Sequence, residues 1–406
     1  MKQIKRCREL LLGLVTMLVL EPALLLEAAA AVRYPLKVSE NRRYLVDQDN
    51  QPVYLHGDTG WTLFCDVSLD DAETYLENRR RKGFNTVNVM LVSAEWNQYD
   101  FSTRTPDGHL PFLKNLSGGL WDGASTGPDL GTPNEAYFAW CDRIIAQAAT
   151  KGMQLVIAPL WTGRSRSDWG KHILSNSLER CFAYGQYLGK RYRDRGNIIW
   201  CLQGDNNPGE DKTRYQEMAR GLRSAGSGQL ITAHLERQYS ARDFYEGESW
   251  LTLNSTYPHV ETVVAKSLRD YNRQPVMPSF MIEAWYEGEH QMTPLQLRRQ
   301  SYWSFCCGSA GQIFGNRPIY SFWEGWKTAL DGVGSVEQQH FKKLVDSRAW
   351  WKMSPDLNQA VVTNGGGAYP GNITALRATD GNDWVLMLDD ASKNLAAPGT
   401  TTYGKQ

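Results

Sequence analysis

Residues 198–206 read Ile198-Ile199-Trp200-Cys201-Leu202-Gln203-Gly204-Asp205-Asn206. A short apolar run opening on two β-branched residues and ending in a Gly-Asp-Asn turn describes a strand of a covered sheet. Seven further runs of this kind occur, at 53–56, 86–92, 155–160, 230–234, 251–254, 276–282 and 312–314. Between them lie segments of helical period, which is the pattern of repeated βα units around a parallel sheet. Eight such runs predict an α/β fold, a closed (β/α)8 TIM barrel over residues 32–351, rather than an open doubly wound sheet.

The helical segments carry their own punctuation. Ser68 with Asp71 resembles a capping box, Ala72, Tyr75 and Leu76 supply an inner face, and Gly83 closes the segment. Thr132, Pro133 and Glu135 read as cap, first-turn proline and reciprocal acid, followed by an apolar stripe from Tyr137 to Ala148 and a stop at Gly152. Further helices are expected at 177–193, 211–225, 294–307 and 336–351. Residues 93–131 form a long connection after the second strand that carries the rings Trp96, Tyr99, Phe101, Phe112 and Trp121. A loop at that end of a barrel strand is well placed to shape a site; a plain surface excursion is the competing reading.

The first thirty-one residues read as a leader. Lys2, Lys5, Arg6 and Arg8 precede an apolar run from Leu10 to Leu20, and small residues Ala28 to Ala31 follow, which is the order of a secretory signal. The run is short for a membrane span, so the expected product is a secreted or periplasmic protein beginning near Val32, with no membrane insertion after signal removal. Lys+Arg and Asp+Glu both number 44, and a balanced charge offers no basic field for a phosphate backbone, which disfavours nucleic acid as a partner. Six cysteines follow the leader without a CxxC pair, so structural zinc is not indicated and any disulfide pairing stays open. Fifteen Trp and nineteen Tyr leave rings to spare for a site that takes sugars or flat apolar ligands.

In barrel enzymes the reacting groups sit just past the strand C-termini and converge on one mouth. Two carboxylates satisfy that demand. Asp205 follows the fourth strand, and Glu283 ends the seventh in Phe280-Met281-Ile282-Glu283-Ala284-Trp285. Glycoside hydrolysis needs such a pair: one carboxyl to protonate the leaving oxygen, and one carboxylate to attack or to activate water. Their separation, about 5–5.5 Å for retention and about 6.5–9.5 Å for inversion, is not readable from sequence. Taken singly, Asp205 could equally cap the next helix, and Glu283 could pair with Arg237 or Arg317.

Other polar and aromatic residues fall at the same end of the strands. Asp58 and Trp61 follow the first, Asn88 lies in the second with Glu95 and Trp96 after it, and Trp161 closes the third. Asn206 follows Asp205, His234 ends the fifth strand, Tyr257 and His259 follow the sixth, and Trp285 follows Glu283. A ring of hydrogen-bonding groups and rings suits a sugar, although any one of these residues alone reads as ordinary packing. No HExxH, P-loop or GxGxxG motif is present, and His234 and His259 lack a third ligand at metal spacing, so neither metal nor cofactor is expected.

Several segments together resemble a known family. Tyr44-Leu45-Val46-Asp47, Tyr54-Leu55-His56-Gly57-Asp58-Thr59-Gly60-Trp61, Tyr75-Leu76-Glu77-Asn78-Arg79, Lys82-Gly83-Phe84-Asn85 and Gln203-Gly204-Asp205-Asn206 are similar to the apiosidase-like catalytic domain of glycoside hydrolase family 140, over about residues 36–351. The resemblance implies a (β/α)8 barrel with Asp205 as acid/base and Glu283 as nucleophile. It further implies removal of apiofuranosyl residues from pectic side chains of the rhamnogalacturonan II type, and export from a glycan-degrading bacterium. By analogy with barrel glycosidases using these two strands, retention is expected. Trp351-Lys352-Met353-Ser354-Pro355-Asp356 and Ala378-Thr379-Asp380-Gly381 are similar to the start of the collagen-binding-type β-domain that often follows in the family. The match fades after Leu388, so residues 352–406 are read as a short, incomplete β-rich segment and tail, with a hairpin from 373–379 and 384–388 after a turn at Gly365 to Gly367. The competing functions are a glycosidase of other specificity on the same barrel, and a carbohydrate-binding protein that has lost turnover. An oligosaccharide or polysaccharide is the expected partner in each case, and the oligomeric state stays open.

Overall fold

Apolar residues on both sides of each short strand demand cover on both sides, and a sheet closed into a cylinder with helices outside provides it. The computed structural model describes residues 32–93, 103–123, 127–164, 169–357, 366–367 and 375–376. Its eight barrel strands are β1 (Leu55–Thr59), β2 (Thr86–Met90), β3 (Gln154–Ala158), β4 (Ile198–Gln203), β5 (Ile231–His234), β6 (Asn254–Thr256), β7 (Ser279–Met281) and β8 (Gly311–Ile313). Every pairing is parallel, in the order β5-β4-β3-β2-β1-β8-β7-β6. Between β5 and β6 there is no regular ladder. Thr252 spans the gap, its N–H donating to the Ile231 carbonyl at 3.0 Å while its hydroxyl accepts from the Ile231 N–H at 2.9 Å. The Ser255 hydroxyl donates to the Ala233 carbonyl across the same seam.

Strand alternation sorts the side chains into two cores. Leu55, Val156, Ile199, Cys201, Phe280, Ile282 and Ile313 point inward. They are met by Leu45 and Val53 from a small antiparallel sheet of Lys37–Val38, Leu45–Val46 and Pro52–Val53, and by Leu36 just before it. Val87, Val89, Leu155, Ile157, Trp200 and Leu202 point outward against the helices. A third cluster is aromatic: Trp61, Trp161, Tyr286 and Tyr320 pack with Met90 and Ala158 past the C-terminal ends of the strands.

The surrounding helices are α1 (Leu69–Arg81), α2 (Glu135–Thr150), α3 (Leu178–Arg191), α4 (Lys212–Ser224), α5 (Ala241–Tyr245), α6 (Val263–Asn272), α7 (Pro294–Cys306) and α8 (Val333–Asp346). The Ser68 hydroxyl accepts from the Asp71 N–H at 3.1 Å and starts α1 as expected. Helix α2 starts later than its sequence suggests, with Asn134 rather than Thr132 as the cap. The reason is tertiary: Thr132 is held by the long connection, accepting from Lys114 N–H at 3.1 Å and donating to the Asp129 carbonyl at 2.9 Å, while Pro133 bridges Phe112. Helices α5 and α6 and the short helices Trp169–Ser175 and Trp326–Ala329 have no counterpart in the sequence expectations.

In the long connection, Phe112 and Trp121 are buried against Trp169, and Phe112 also meets Tyr184, so these two rings serve packing rather than ligand contact. Trp96, Tyr99 and Phe101 lie outside the described residues. Toward the C-terminus, Gly366–Gly367 pairs antiparallel with Ala375–Leu376, which makes the expected glycine turn part of a ladder. The 384–388 half of the expected hairpin lies outside the described residues.

Asp58 corrects its sequence reading. Leu55 and Gly57 face the barrel interior, so period-two alternation turns Asp58 outward toward α1 rather than to the mouth. There it is fully buried, its Oδ2 accepting from Arg79 Nε at 2.5 Å and from the Tyr75 hydroxyl at 2.9 Å. Arg79 Nη1 continues to the Leu330 carbonyl and the Ser335 hydroxyl, both at 2.9 Å, tying α1 to the start of α8. Removing one partner leaves a buried charge uncompensated. Arg79→Ala is therefore expected to lower unfolding stability by about 3–5 kcal/mol. Urea denaturation checks this, and a loss below about 1 kcal/mol would show that the pair is not structural.

Candidate active site

The acid after β4 is delivered by an unusual backbone. Gln203, Gly204 and Asp205 have φ of 69°, 151° and 49°, three consecutive residues with positive φ. For Gln203 and Asp205 this costs on the order of 1–3 kcal/mol each, and such strain persists only where surroundings over-determine it. Here they do. Gln203 is buried, its Nε2 donating to Asp211 Oδ2 at 3.0 Å and its Oε1 accepting from the Tyr245 hydroxyl at 2.8 Å. Gly204 lies against the Trp161 indole, where any Cβ would fall inside the ring system. Asp205 does not cap the following helix; Asp211 occupies that position.

Glu283 follows β7 and is 8% exposed. Its Oε2 is 2.9 Å from His234 Nε2, and its Oε1 accepts from the Tyr257 hydroxyl at 2.9 Å. The Asp205 N–H donates to His234 Nδ1 at 3.4 Å, so Nδ1 is the acceptor and Nε2 carries the proton donated to Glu283. His234 thus bridges the two carboxylate-bearing segments. Neither Arg237 nor Arg317 forms an ion pair with Glu283 among the described residues.

The two acids sit in different environments. Burial is the larger cause, and the negative charge of Glu283 the second, of a rise in the Asp205 carboxyl from 3.8 to about 6, against smaller opposing effects of His234, Arg237 and Arg164. Asp205 is thereby suited to carry a proton near neutral pH, while Glu283 accepts hydrogen bonds at both oxygens. Paired carboxyl groups with unlike surroundings are the equipment of acid/base plus nucleophilic chemistry.

Of the other expected residues, several converge here. Trp61 and Trp161 lie 4.5 Å apart between ring centroids, and Trp161 lies 4.8 Å from His234. Both indoles are buried, Trp61 donating to the Tyr286 hydroxyl at 3.2 Å, so they form a floor beneath the carboxylates rather than an open sugar platform. Asn88 is also buried, donating to the Ile282 carbonyl at 3.1 Å, one residue before Glu283. Asn206 is half-buried and donates to its neighbour's Asn207 carbonyl. His259 and Trp285 are half-buried and adjacent, with ring centroids 5.2 Å apart. Asp58 is turned away, as described, and Glu95 and Trp96 lie outside the described residues. Among the described residues no three His, Cys, Asp or Glu side chains converge as a metal site, and no helix is long and apolar enough to cross a membrane.

Three further residues were not among the expected site residues, although Arg237 was named as a possible ion-pair partner of Glu283. Arg237 donates to the Tyr257 hydroxyl at 2.9 Å and lies 4.2 Å from the Trp285 ring centre. Tyr286 receives the Trp61 indole N–H. Glu289 accepts from the Tyr320 hydroxyl at 3.1 Å, and burial raises its carboxyl above the ordinary range. All three lie beyond strand ends, and Arg237 and Tyr286 stand three residues past His234 and Glu283; that placement is the only signal the sequence offers.

Two outcomes follow from this geometry. Because Asp205 is raised in the folded state, its ionisation opposes folding as pH rises through about 6. Asp205→Asn is expected to stabilise the protein at pH 7 by on the order of 2 kcal/mol, and to give no gain below about pH 3, where the wild-type group is protonated in both states. Thermal unfolding at the two pH values reads the difference, and an equal effect at both would contradict it. Gly204→Ala drives a methyl group into Trp161 and should cost about 1–3 kcal/mol; an unchanged melting temperature would count against that packing.

The family model described as "Apiosidase-like, catalytic domain" matches residues 39–352. No curated protein matches the sequence. Among solved structures, a protein described as a glycoside hydrolase shares 23% identity over 83% of this chain and 80% of that one, with a TM-score of 0.69. A glycoside hydrolase family 5 protein from Bacteroides vulgatus ATCC 8482 shares 22% identity over 82% of this chain and 76% of that one, also at 0.69. The hyperthermostable endo-1,4-beta-D-mannanase of Thermotoga petrophila RKU-1 shares 13% identity over 72% of this chain and 100% of that one, at 0.52. At these identities the likeness concerns the barrel alone, whereas the family match spans most of the chain and contains both carboxylates. The chain therefore belongs to the apiosidase-like family and is a glycoside hydrolase.

Proposed function

We propose that this protein is an exported exo-acting glycosidase that removes terminal apiofuranosyl residues from pectic side chains of the rhamnogalacturonan II type, with retention of configuration. The unlike surroundings of the two acids carry the assignment of roles. Asp205, raised to about 6, protonates the glycosidic oxygen as the bond breaks. Glu283, with both oxygens held as acceptors by His234 and Tyr257, attacks the anomeric carbon. Water then enters with Asp205 as base and releases the sugar. The buried indoles of Trp61 and Trp161 help exclude water from beneath the carboxyl pair, and half-buried Trp285 offers an aromatic face to a sugar. The family match supports the apiose preference, and the order of charged, apolar and small residues in 1–31 supports export to the periplasm or beyond.

A panel of pectic oligosaccharides, followed by identification of the released sugar, tests the specificity. Apiose is the expected product. Release of another sugar would move the chain to a different specificity, and binding without release would make it a carbohydrate-binding protein. Asp205→Asn and Glu283→Gln are each expected to lower kcat by about 10²–10⁴ while the fold is kept; near-wild-type turnover in either variant refutes its role. Turnover requires Asp205 protonated, so activity should fall as pH rises through about 6, with the observed limb belonging to the coupled pair. An NMR record of the first-formed anomer decides retention against inversion.

A further inference from the structure

The Tyr257 hydroxyl has one proton to give, and two partners lie within reach. Arg237 Nη2 stands 2.9 Å from it on one side and Glu283 Oε1 stands 2.9 Å on the other. A guanidinium is a donor only and cannot accept. Arg237 must therefore donate to the tyrosine oxygen, which leaves the phenolic proton directed at Glu283. The charge of the guanidinium also polarises the hydroxyl and strengthens the donation beyond it. Arg237 is itself held by ring faces, 4.2 Å from the Trp285 centroid and 5.2 Å from that of Tyr257. Its Nε is buried without a hydrogen-bond partner among the described residues, so no competing contact draws the guanidinium away by that nitrogen.

We infer that Arg237 is a positioning residue for the nucleophile, acting through Tyr257 to fix the direction of the hydrogen bond that orients Glu283. The inference rests on Glu283 being the nucleophile. Opposite Tyr257, His234 secures the second oxygen, so two donors on β5 and just after β6 hold the carboxylate and Arg237 locks one of them. The other charged or titratable groups around this chain are Asp205 after β4, Tyr286 and Glu289 after β7, and His259 and His290 flanking Trp285. Among the described residues none of them hydrogen-bonds to the Tyr257 hydroxyl or to Glu283.

A panel of 4-nitrophenyl glycosides, apiofuranoside included, tests this. The good leaving group lessens the need for Asp205, so the rate reports the attack by Glu283. Tyr257→Phe and Arg237→Met are each expected to lower kcat by about 10- to 100-fold with KM changed by less than about threefold. The double variant should be no more than about threefold below Tyr257→Phe alone, because both substitutions break one chain. Arg237→Lys, which retains a donor-only cation, should recover a large part of the loss, and unfolding midpoints separate all of these effects from misfolding. Losses that multiply in the double variant, a defect confined to KM, or a Lys variant no better than Met would overturn the role of Arg237. Near-wild-type turnover by Glu283→Gln, or no glycoside hydrolysed by the wild type, would overturn the underlying reading of the site instead.

Discussion

One imidazole ties the site together. His234 accepts from the Asp205 backbone and donates to the Glu283 carboxylate, joining the ends of β4 and β7 through the end of β5. This matters because the barrel has no regular ladder between β5 and β6, where Thr252 and Ser255 substitute for strand pairing. Where the sheet contributes least, side-chain hydrogen bonds hold the relative positions of the segments that carry the carboxyl groups. Removing the imidazole would leave Glu283 with Tyr257 alone and the strained turn at 203–205 without its cross-strand acceptor.

The layers beneath follow from that arrangement. The interior runs from aliphatic side chains, closed by the small N-terminal sheet, to an aromatic floor of Trp61, Trp161, Tyr286 and Tyr320. Indoles in this position exclude water from below Asp205, and burial is the first cause of its raised carboxyl. Gly204 makes the geometry possible by letting the chain pass against Trp161 where no side chain fits. The strain of Gln203 and Asp205, the missing Cβ and the raised acidity are thus linked properties of one turn. Stability and activity pull against each other there, as they commonly do where an acid is kept protonated by its surroundings.

Much of this was legible beforehand. Each of the eight apolar runs coincides with a barrel strand within a few residues, because strands covered on both faces carry a local apolar signal. The capping serine of α1 was equally local. Asp58 was misplaced because its nearness to a strand end was weighed and its alternation was not; Leu55 and Gly57 inward put Asp58 outward, beside Arg79. The cap of α2 shifted because Thr132 and Pro133 are engaged by a loop twenty residues earlier, a contact invisible to a local rule. Trp61 and Trp161 lie in one buried aromatic cluster, and whether a ring beyond a strand end stays open or is covered depends on neighbours from other strands.

The amino-acid order by itself determined the barrel and the presence of an acid beyond each of its fourth and seventh strands, because both are written in short-range patterns of apolar residues and turns. Tertiary structure alone decided what those acids can do. Asp205, His234, Tyr257 and Glu283 are separated by tens of residues along the chain, and their hydrogen bonds exist only once the cylinder has closed. Protonation, orientation and the exclusion of water depend on distances between strands, and no sequence spacing encodes those.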